Sequence, residues 1–309
     1  LRSAALLARV GPACKLLHRF TEAKTAPVTV GGLTFPNRVG IAGGLDKNGV
    51  AVRAWWAFGF GFVELGTVTP RPQAGNDKPR MFRLPAERAV RNRMGFNNHG
   101  AEALAKRLVG EWHRRPPFPI GVSLGKNKDT LEGAAADDYA KAATFANPVA
   151  DFVTINVSSP NTAGLRNFQD PETLRPLIRA VKSVIGRKSL YVKLAPELTG
   201  KPLADVVAAC LEEGCVGLIA TNTWATFDDR TGQPLGGLSG GPLKAIAPQR
   251  VAEIRKLLGD GPALIGCGGI DDIASARRMR DAGADLIQLY TGLVYRGPFL
   301  GAHLARAIA

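Results

Sequence analysis

The chain has 309 residues, of which 45% are hydrophobic and 21% charged, an ordinary balance for a globular protein. That length fits two average domains or one large α/β barrel of about 250 residues, and no run approaches the roughly 18 apolar residues of a membrane-spanning helix. The net charge of +14 is spread over scattered Lys and Arg with no zinc-finger or RNA-binding signature, so it favours an acidic membrane face or anionic small ligands over nucleic acid.

Taken in chain order, the first element is LRSAALLARVGPACKLLHRF. It divides at Gly11-Pro12 into two short helical pieces, with proline suited to the first turn of the second. Leu6, Leu7, Val10, Leu16 and Leu17 are apolar; Arg2, Arg9, Lys15 and Arg19 are basic, and no acid precedes Glu22. A basic amphipathic hairpin of this kind either lies on an anionic membrane surface or packs on the rest of the chain as extra core. VTVGGLTF (28–35) then predicts a small β-hairpin turning at its Gly-Gly.

From Arg38 onward, short apolar strands alternate with amphipathic helical patterns. The strands fall at 38–44, 61–68, 119–125, 151–159, 190–196, 216–223, 263–269 and 285–292. Helical patterns lie near 48–58, 99–111, 134–146, 171–186, 202–213, 244–258 and 271–282, with a last one after Pro298. Eight strand–helix units without a break predict a closed (β/α)8 TIM barrel. An open doubly wound sheet should carry G-x-G-x-x-G after its first strand, and GIAGGLDKNG lacks that spacing. The cysteines, Cys14, Cys210, Cys215 and Cys267, show no C-x-x-C pair and read as reduced structural thiols of an intracellular protein.

Barrels of this type place their active sites at the carboxyl ends of the strands. Those ends carry Gly43, Gly44 and Lys47; Thr67; Ser123; Asn156, Ser158, Ser159 and Asn161; and Lys193. Later ends add Thr221, Asn222, Thr223, Gly268, Gly269, Tyr290, Thr291 and Gly292. Amides, hydroxyls, glycines and two lysines, with no His–carboxylate cluster, predict no catalytic metal. GCGG after strand seven and LYTG after strand eight are either ordinary tight turns or a phosphate cradle, where missing side chains let N–H groups come close. Lys193, inside the apolar alternation YVKLAP, should point into the barrel mouth and need an anion beside it; a reduced flavin is one such anion. Lys47, after GGLD, either meets a substrate carboxylate or caps a surface turn. In NRMGFNNHG (92–100), Asn92, Asn97 and Asn98 make turns or match the edges of a neutral pyrimidine ring. The stretch TINVSSPNTAGLRN (154–167) holds no carboxylate, His or Cys, so any proton chemistry there falls to hydroxyls and amides.

Together, GGLDKNG, ELGTVTPRPQAGNDKPRMFRL, NRMGFNNHG, GKNKDT, NVSSPNTAGLR, VKLAP, ATNT, GGLSGGPL, GCGGI and LYTGLVYRGP resemble, in order, the class 2 branch of the dihydroorotate dehydrogenases. This branch is quinone-dependent and membrane-associated. The resemblance runs from about residue 28 to the end. It implies a barrel holding flavin mononucleotide (FMN) that oxidises dihydroorotate to orotate in pyrimidine biosynthesis and passes electrons to a membrane quinone. By the same matching, Ser159 is the base that takes the proton from carbon 5, while Thr162 and Phe96 shape a water route and shield the site. Class 1 enzymes use Cys in this loop, and all four cysteines here lie elsewhere.

The resemblance assigns the substrate to Lys47, Asn92, Asn156, Asn161, Asn222 and Thr223, with Arg93, Met94, Gly95 and Phe96 of the 92–100 loop. It assigns FMN to Gly43, Gly44, Lys47, Thr67, Asn156 and Lys193, and further along to Thr221, Gly240, Gly269, Tyr290 and Thr291. Where that family carries Asn in its third strand, this chain has Ser123 in GVSLG, a shorter side chain that reaches a flavin only through water. Arg83 matches a basic residue lining the quinone site. Residues 1–25 correspond to the helical extension that caps the quinone route and touches membrane, shorter here than in that branch, and 26–309 to the barrel. The implied protein is a monomer, peripheral on the cytoplasmic face of a bacterial inner membrane or on the mitochondrial inner membrane. Two other readings fit the residues: a related FMN barrel delivering electrons to fumarate or a nicotinamide, and a basic barrel that binds anions or membranes without catalysis.

Overall fold

The computed structural model describes residues 1–111, 113 and 115–309. A two-stranded antiparallel hairpin, β1 (Val28–Val30) and β2 (Leu33–Phe35), precedes the barrel. Its turn needs two left-handed residues, and Gly31 (φ 55°) and Gly32 (φ 80°) provide them.

The barrel strands are β3 (Val39–Ile41), β4 (Phe62–Val68), β7 (Ile120–Leu124), β8 (Phe152–Asn156), β9 (Ser189–Leu194), β10 (Gly217–Ala220), β13 (Ala263–Cys267) and β14 (Leu286–Leu289). They close in the order β10-β13-β14-β3-β4-β7-β8-β9, with parallel pairing all the way round. All eight expected strands are present. Several are shorter than their apolar runs, because their last residues leave the ladder: 221–223 follow β10, and Thr291 already begins a helix, α10 (Thr291–Arg296).

Alternate residues of a strand share a face, which divides the barrel into an outer and an inner core. Val63, Leu65, Val153, Ile155 and Val192 belong to the large outer core beneath the helices. Phe62, Phe152, Tyr191, Ile219, Ile265 and Leu286 fill the barrel's inner floor together with Phe35 of the hairpin. Their rings meet edge-on: Phe35–Phe62 at 5.2 Å, Phe62–Phe152 at 6.4 Å and Phe152–Tyr191 at 5.6 Å between centroids. The hairpin turn closes this floor, with Ser189 Oγ donating 2.8 Å to the Gly31 carbonyl. Two residues further along the same strands the interior becomes polar, at Glu64, Thr154, Lys193 and Gln288, all buried.

The interior rings lie across glycines of neighbouring strands. Gly40 pairs with Phe62 and Gly121 with Phe152. A Cβ on Gly121 would stand 2.1 Å from the Phe152 ring.

The helices of the barrel layer are α3 (Val52–Ala57), α4 (Ala101–Gly110), α5 (Ala135–Ala146), α6 (Pro171–Ile185), α7 (Gly200–Glu212), α8 (Leu243–Leu258), α9 (Ile273–Asp281) and α11 (Leu300–Ala307). In α6 the start and the buried face are both written locally. Asp170 accepts from the Glu172 N–H at 2.9 Å, Pro171 sits in the first turn, and Leu174, Leu177, Ile178, Val181 and Ile185 recur at helical spacing on the core side.

At the amino terminus, α1 (Arg2–Ala8) and α2 (Gly11–Thr21) break where expected, with Pro12 in the first turn of α2. One face packs on α3: His18 stacks on Trp56 at 3.9 Å, and Thr21 Oγ1 donates 2.7 Å to the Ala57 carbonyl. The opposite face leaves Leu6, Val10, Leu16 and Phe20 exposed. Among the described residues no helix is long and apolar enough to cross a membrane.

The sequence reading did not anticipate a four-stranded antiparallel sheet in the order β11-β12-β6-β5. It comprises β5 (Met81–Leu84), β6 (Ala89–Asn92), β11 (Trp224–Phe227) and β12 (Pro234–Gly240). It joins the second and sixth strand–helix connections, with Asn92 opposite Gly237.

Filling the interior is expected to cost stability. Gly121→Ala should lower the unfolding free energy by about 1–3 kcal/mol, seen as a lower urea midpoint with unchanged slope. A midpoint at the wild-type value would show that the Phe152 ring has room to move.

Candidate active site

A cavity of about 1070 Å³, including its open mouth, lies at the carboxyl ends of the strands. The expected residues Gly43, Gly44, Lys47, Thr67, Asn92, Met94, Gly95, Phe96, Asn156, Ser159, Asn161 and Lys193 all line it. So do Thr221, Asn222, Thr223, Gly240, Gly269, Tyr290 and Thr291.

At one end, amides and hydroxyls form a connected network. Asn222 Nδ2 donates to Ser158 Oγ (2.9 Å) and Asn156 Oδ1 (3.3 Å), and Ser158 Oγ donates to the same Asn156 oxygen at 3.0 Å. Asn156 Nδ2 donates 2.8 Å to Thr67 Oγ1. Asn161 Nδ2 donates 3.1 Å to Asn92 Oδ1, which brings the 157–162 loop against β6. Ser159 Oγ is buried and accepts the Asn161 N–H at 3.3 Å, so its own proton is free to be donated elsewhere. Thr223 Oγ1 is buried at the cavity wall without a hydrogen-bond partner. Lys47 Nζ donates 3.0 Å to Asn97 Oδ1. Burial first, and the neighbouring Arg80 charge second, push the Lys47 ammonium down to about 8.

Deeper in the barrel, Lys193 is 4% exposed. Its Nζ lies 3.9 Å from Glu64 Oε1 and 3.5 Å from Gln288 Oε1, while Gln288 Nε2 donates 2.7 Å to Glu64 Oε2. The anion that a buried lysine requires is therefore supplied by the protein itself. The sequence reading missed both partners, although each shares inward parity with a floor residue two positions earlier, Phe62 and Leu286.

The opposite end is rimmed by glycine. Gly240 (φ 91°), Gly268 (φ 120°) and Gly269 (φ 70°) take left-handed conformations. A Cβ on Gly269 would stand 2.5 Å from the Lys244 nitrogen, and one on Gly240 would stand 2.4 Å from the Arg88 carbonyl oxygen. Ser239 and Thr291 hydroxyls meet at 2.8 Å on this rim. Arg88 lies 3.5 Å from Asp271, which also holds Lys244 at 2.5 Å. Arg88 and Ser239 were not anticipated, because the cross-barrel sheet that brings them in was not; Asp271, just past Gly268-Gly269, was also not anticipated.

Of the residues that the resemblance assigns to catalysis or to a ligand, four stand outside the cavity lining. Ser123 Oγ is fully buried 2.9 Å from Thr67 Oγ1, so the hydroxyl holds the Thr67–Asn156 pair from behind. Thr162 is buried beside the Ser159 loop. Arg93 Nε donates 3.1 Å to the Pro79 carbonyl, and Arg83 is exposed on β5. A further residue missing from the sequence reading, Arg166, fastens two strand-end loops. It donates to the Ser158 carbonyl (Nε, 3.1 Å) and the Thr223 carbonyl, and pairs with Glu197 at 3.1 Å. Among the described residues no group of three His, Cys, Asp or Glu could hold a metal ion.

Comparison with known proteins places this geometry. A family model described as "Dihydroorotate dehydrogenase" matches residues 25–309. A protein named dihydroorotate dehydrogenase (quinone) from Chloroflexus aurantiacus is 46% identical over 322 residues, covering 98% of this chain and 88% of its own length. One of the same name from Stenotrophomonas maltophilia is 46% identical, covering 91% and 83%. The crystal structure of the ligand-free enzyme from Eimeria tenella superposes with a TM-score of 0.85 at 36% identity, over 95% of this chain and 93% of that one.

Proposed function

Given that the chain belongs to the dihydroorotate dehydrogenase family, we propose that it oxidises dihydroorotate to orotate in pyrimidine biosynthesis, with a flavin as first electron acceptor and a quinone as second. One observation carries this reading. Ser159, in a loop without Asp, Glu, His or Cys, lines the same cavity as the buried Lys193 and the glycine rim.

The cavity fits FMN. The left-handed glycines of the rim leave room for a phosphate to approach the main chain, and Lys193 would offer a buried cation to a ring that gains negative charge on reduction. Bound there, FMN would supply the two-electron acceptor between dihydroorotate and quinone. Gly43, Gly44, Thr67, Thr221, Gly240, Gly269, Tyr290 and Thr291 would hold it, with Asn156 and Lys193 at the ring.

The chain's own residues do the rest. Lys47 meets the substrate carboxylate. Asn92, Asn156, Asn161 and Asn222 present the paired donors and acceptors that match a pyrimidine's edges, and Thr223 offers its unpartnered hydroxyl. Ser159 takes the proton from carbon 5 while giving up its own, and Thr162 and Phe96 line the way out for it. Residues 1–25 present Leu6, Val10, Leu16 and Phe20 beside Arg2, Arg9, Lys15 and Arg19, a face suited to the anionic membrane in which a quinone dissolves. Arg83 is assigned to the quinone side.

Three outcomes are expected. Anaerobic dihydroorotate should bleach the flavin absorbance and ubiquinone or menaquinone should restore it; restoration by fumarate or NAD alone would favour the related flavin barrels. Ser159→Ala should retain flavin while its reduction by dihydroorotate slows about 10²–10⁴-fold, and a wild-type stopped-flow rate would remove Ser159 as base. Orotate binding should weaken as pH rises through about 8, where free Lys47 loses the charge that a carboxylate needs. Because the bound carboxylate raises that pKa, the complex takes up a proton, and the Kd climbs by at most about tenfold per pH unit. Calorimetry on Lys47→Met should give a flat profile; a slope equal to wild type would assign the titration elsewhere.

A further inference from the structure

We propose that Glu64 sets the reduction potential of the bound flavin by partly cancelling the charge of Lys193. The inference rests on the flavin reading above and adds a residue that touches neither substrate nor cofactor. Glu64 is a positioning and tuning group that acts through Lys193.

The fold goes to some length to keep this carboxylate. Glu64 is fully buried inside the barrel, between the aromatic floor and the cavity. One oxygen accepts from Gln288 at 2.7 Å; the other, Oε1, has no hydrogen-bond donor. A Cβ on Gly43 would stand 2.3 Å from that oxygen, so residue 43 must do without a side chain to make room for it. Gly43 thus answers to the carboxylate below it as well as to any ligand above. A buried acid with an unsatisfied oxygen costs more than an apolar residue of similar size, and a buried ion pair seldom returns that cost as stability. Its presence there, against that cost, points to work done on the neighbouring cation.

That cation is Lys193, whose Nζ lines the cavity 3.9 Å from Glu64 Oε1. The same side chain therefore faces both a resident anion and the ring site. Reduction adds negative charge to a flavin, and the lysine stabilises the reduced form more than the oxidised one. The carboxylate behind it acts in the opposite sense, and low-dielectric surroundings magnify both effects. With Glu64 ionised, the site is a weaker oxidant than Lys193 alone would make it, which helps reduced flavin to release its electrons to the second acceptor.

The test is the two-electron midpoint potential, measured by spectroelectrochemistry with FMN in excess. Glu64→Gln keeps the shape and an acceptor for Gln288 while removing the charge. It should raise the potential by about 30 mV or more, the equivalent of a tenfold change for a two-electron couple. Lys193→Met should lower it, and adding Glu64→Gln to Lys193→Met should raise it again. Mere loosening of the pocket would weaken both flavin states together and leave the potential near wild type. If Glu64→Gln alone fails to fold around an unpaired ammonium, the comparison of Lys193→Met with the double variant decides the matter. An upward shift supports the proposal; no shift or a downward one overturns it. A wild-type protein that takes up no flavin overturns the function proposed above, whereas a flavin-loaded protein with unmoved potentials overturns only the role of Glu64.

Discussion

Eight parallel strands hydrogen-bonded in a closed ring have no edge, and the placing of the site at the strand tips follows from that closure. Along the ladder the main-chain groups are spent on one another, so polar chemistry is pushed to the strand tips and to the layer of interior side chains just beneath them. The tips of β8 and β10 end at Asn156 and Ala220, and beyond them Ser159, Asn161, Asn222 and Thr223 line the opening. Beneath, the change from Phe62, Tyr191 and Leu286 to Glu64, Lys193 and Gln288 marks the level at which the barrel stops being core and becomes binding site.

The floor matters as much as the tips. Large rings on β4 and β8 lie over glycines on adjacent strands, Tyr191 of β9 lies against Gly31 of the hairpin turn, and the hairpin adds Phe35 from below. This aromatic plug removes freedom from the strands whose far ends carry Thr67, Asn156 and Lys193. The amide network above joins strand tips whose backbone beneath is already packed.

Much of this was legible in the residues. The barrel strands announce themselves as short apolar runs ending in Gly, Asn, Ser or Thr, and the hairpin by Gly31-Gly32, because these are local signals of burial and turn geometry. The β5, β6, β11 and β12 sheet was not legible. Its strands are short and half-exposed, β12 is interrupted by Gly236 and Gly237, and the pairing of β6 with β12 joins segments that are far apart in the chain. Arg88 and Ser239 were lost with it. Ser123 was read as a hydroxyl too short to reach a flavin except through water, and its Oγ lies 2.9 Å from Thr67 Oγ1. Glu64 was passed over as one acid in an apolar run; counting parity from Phe62 would have put it inside, opposite Lys193.

The guanidinium of Arg166 rivets two connections that come from different quarters of the barrel, one bearing Ser159 and the other Thr223. A rivet of that kind forbids independent flexing: whatever lifts one flap must drag or release its neighbour. A displacement of either connection would therefore be felt by the other through one side chain, which Glu197 also holds.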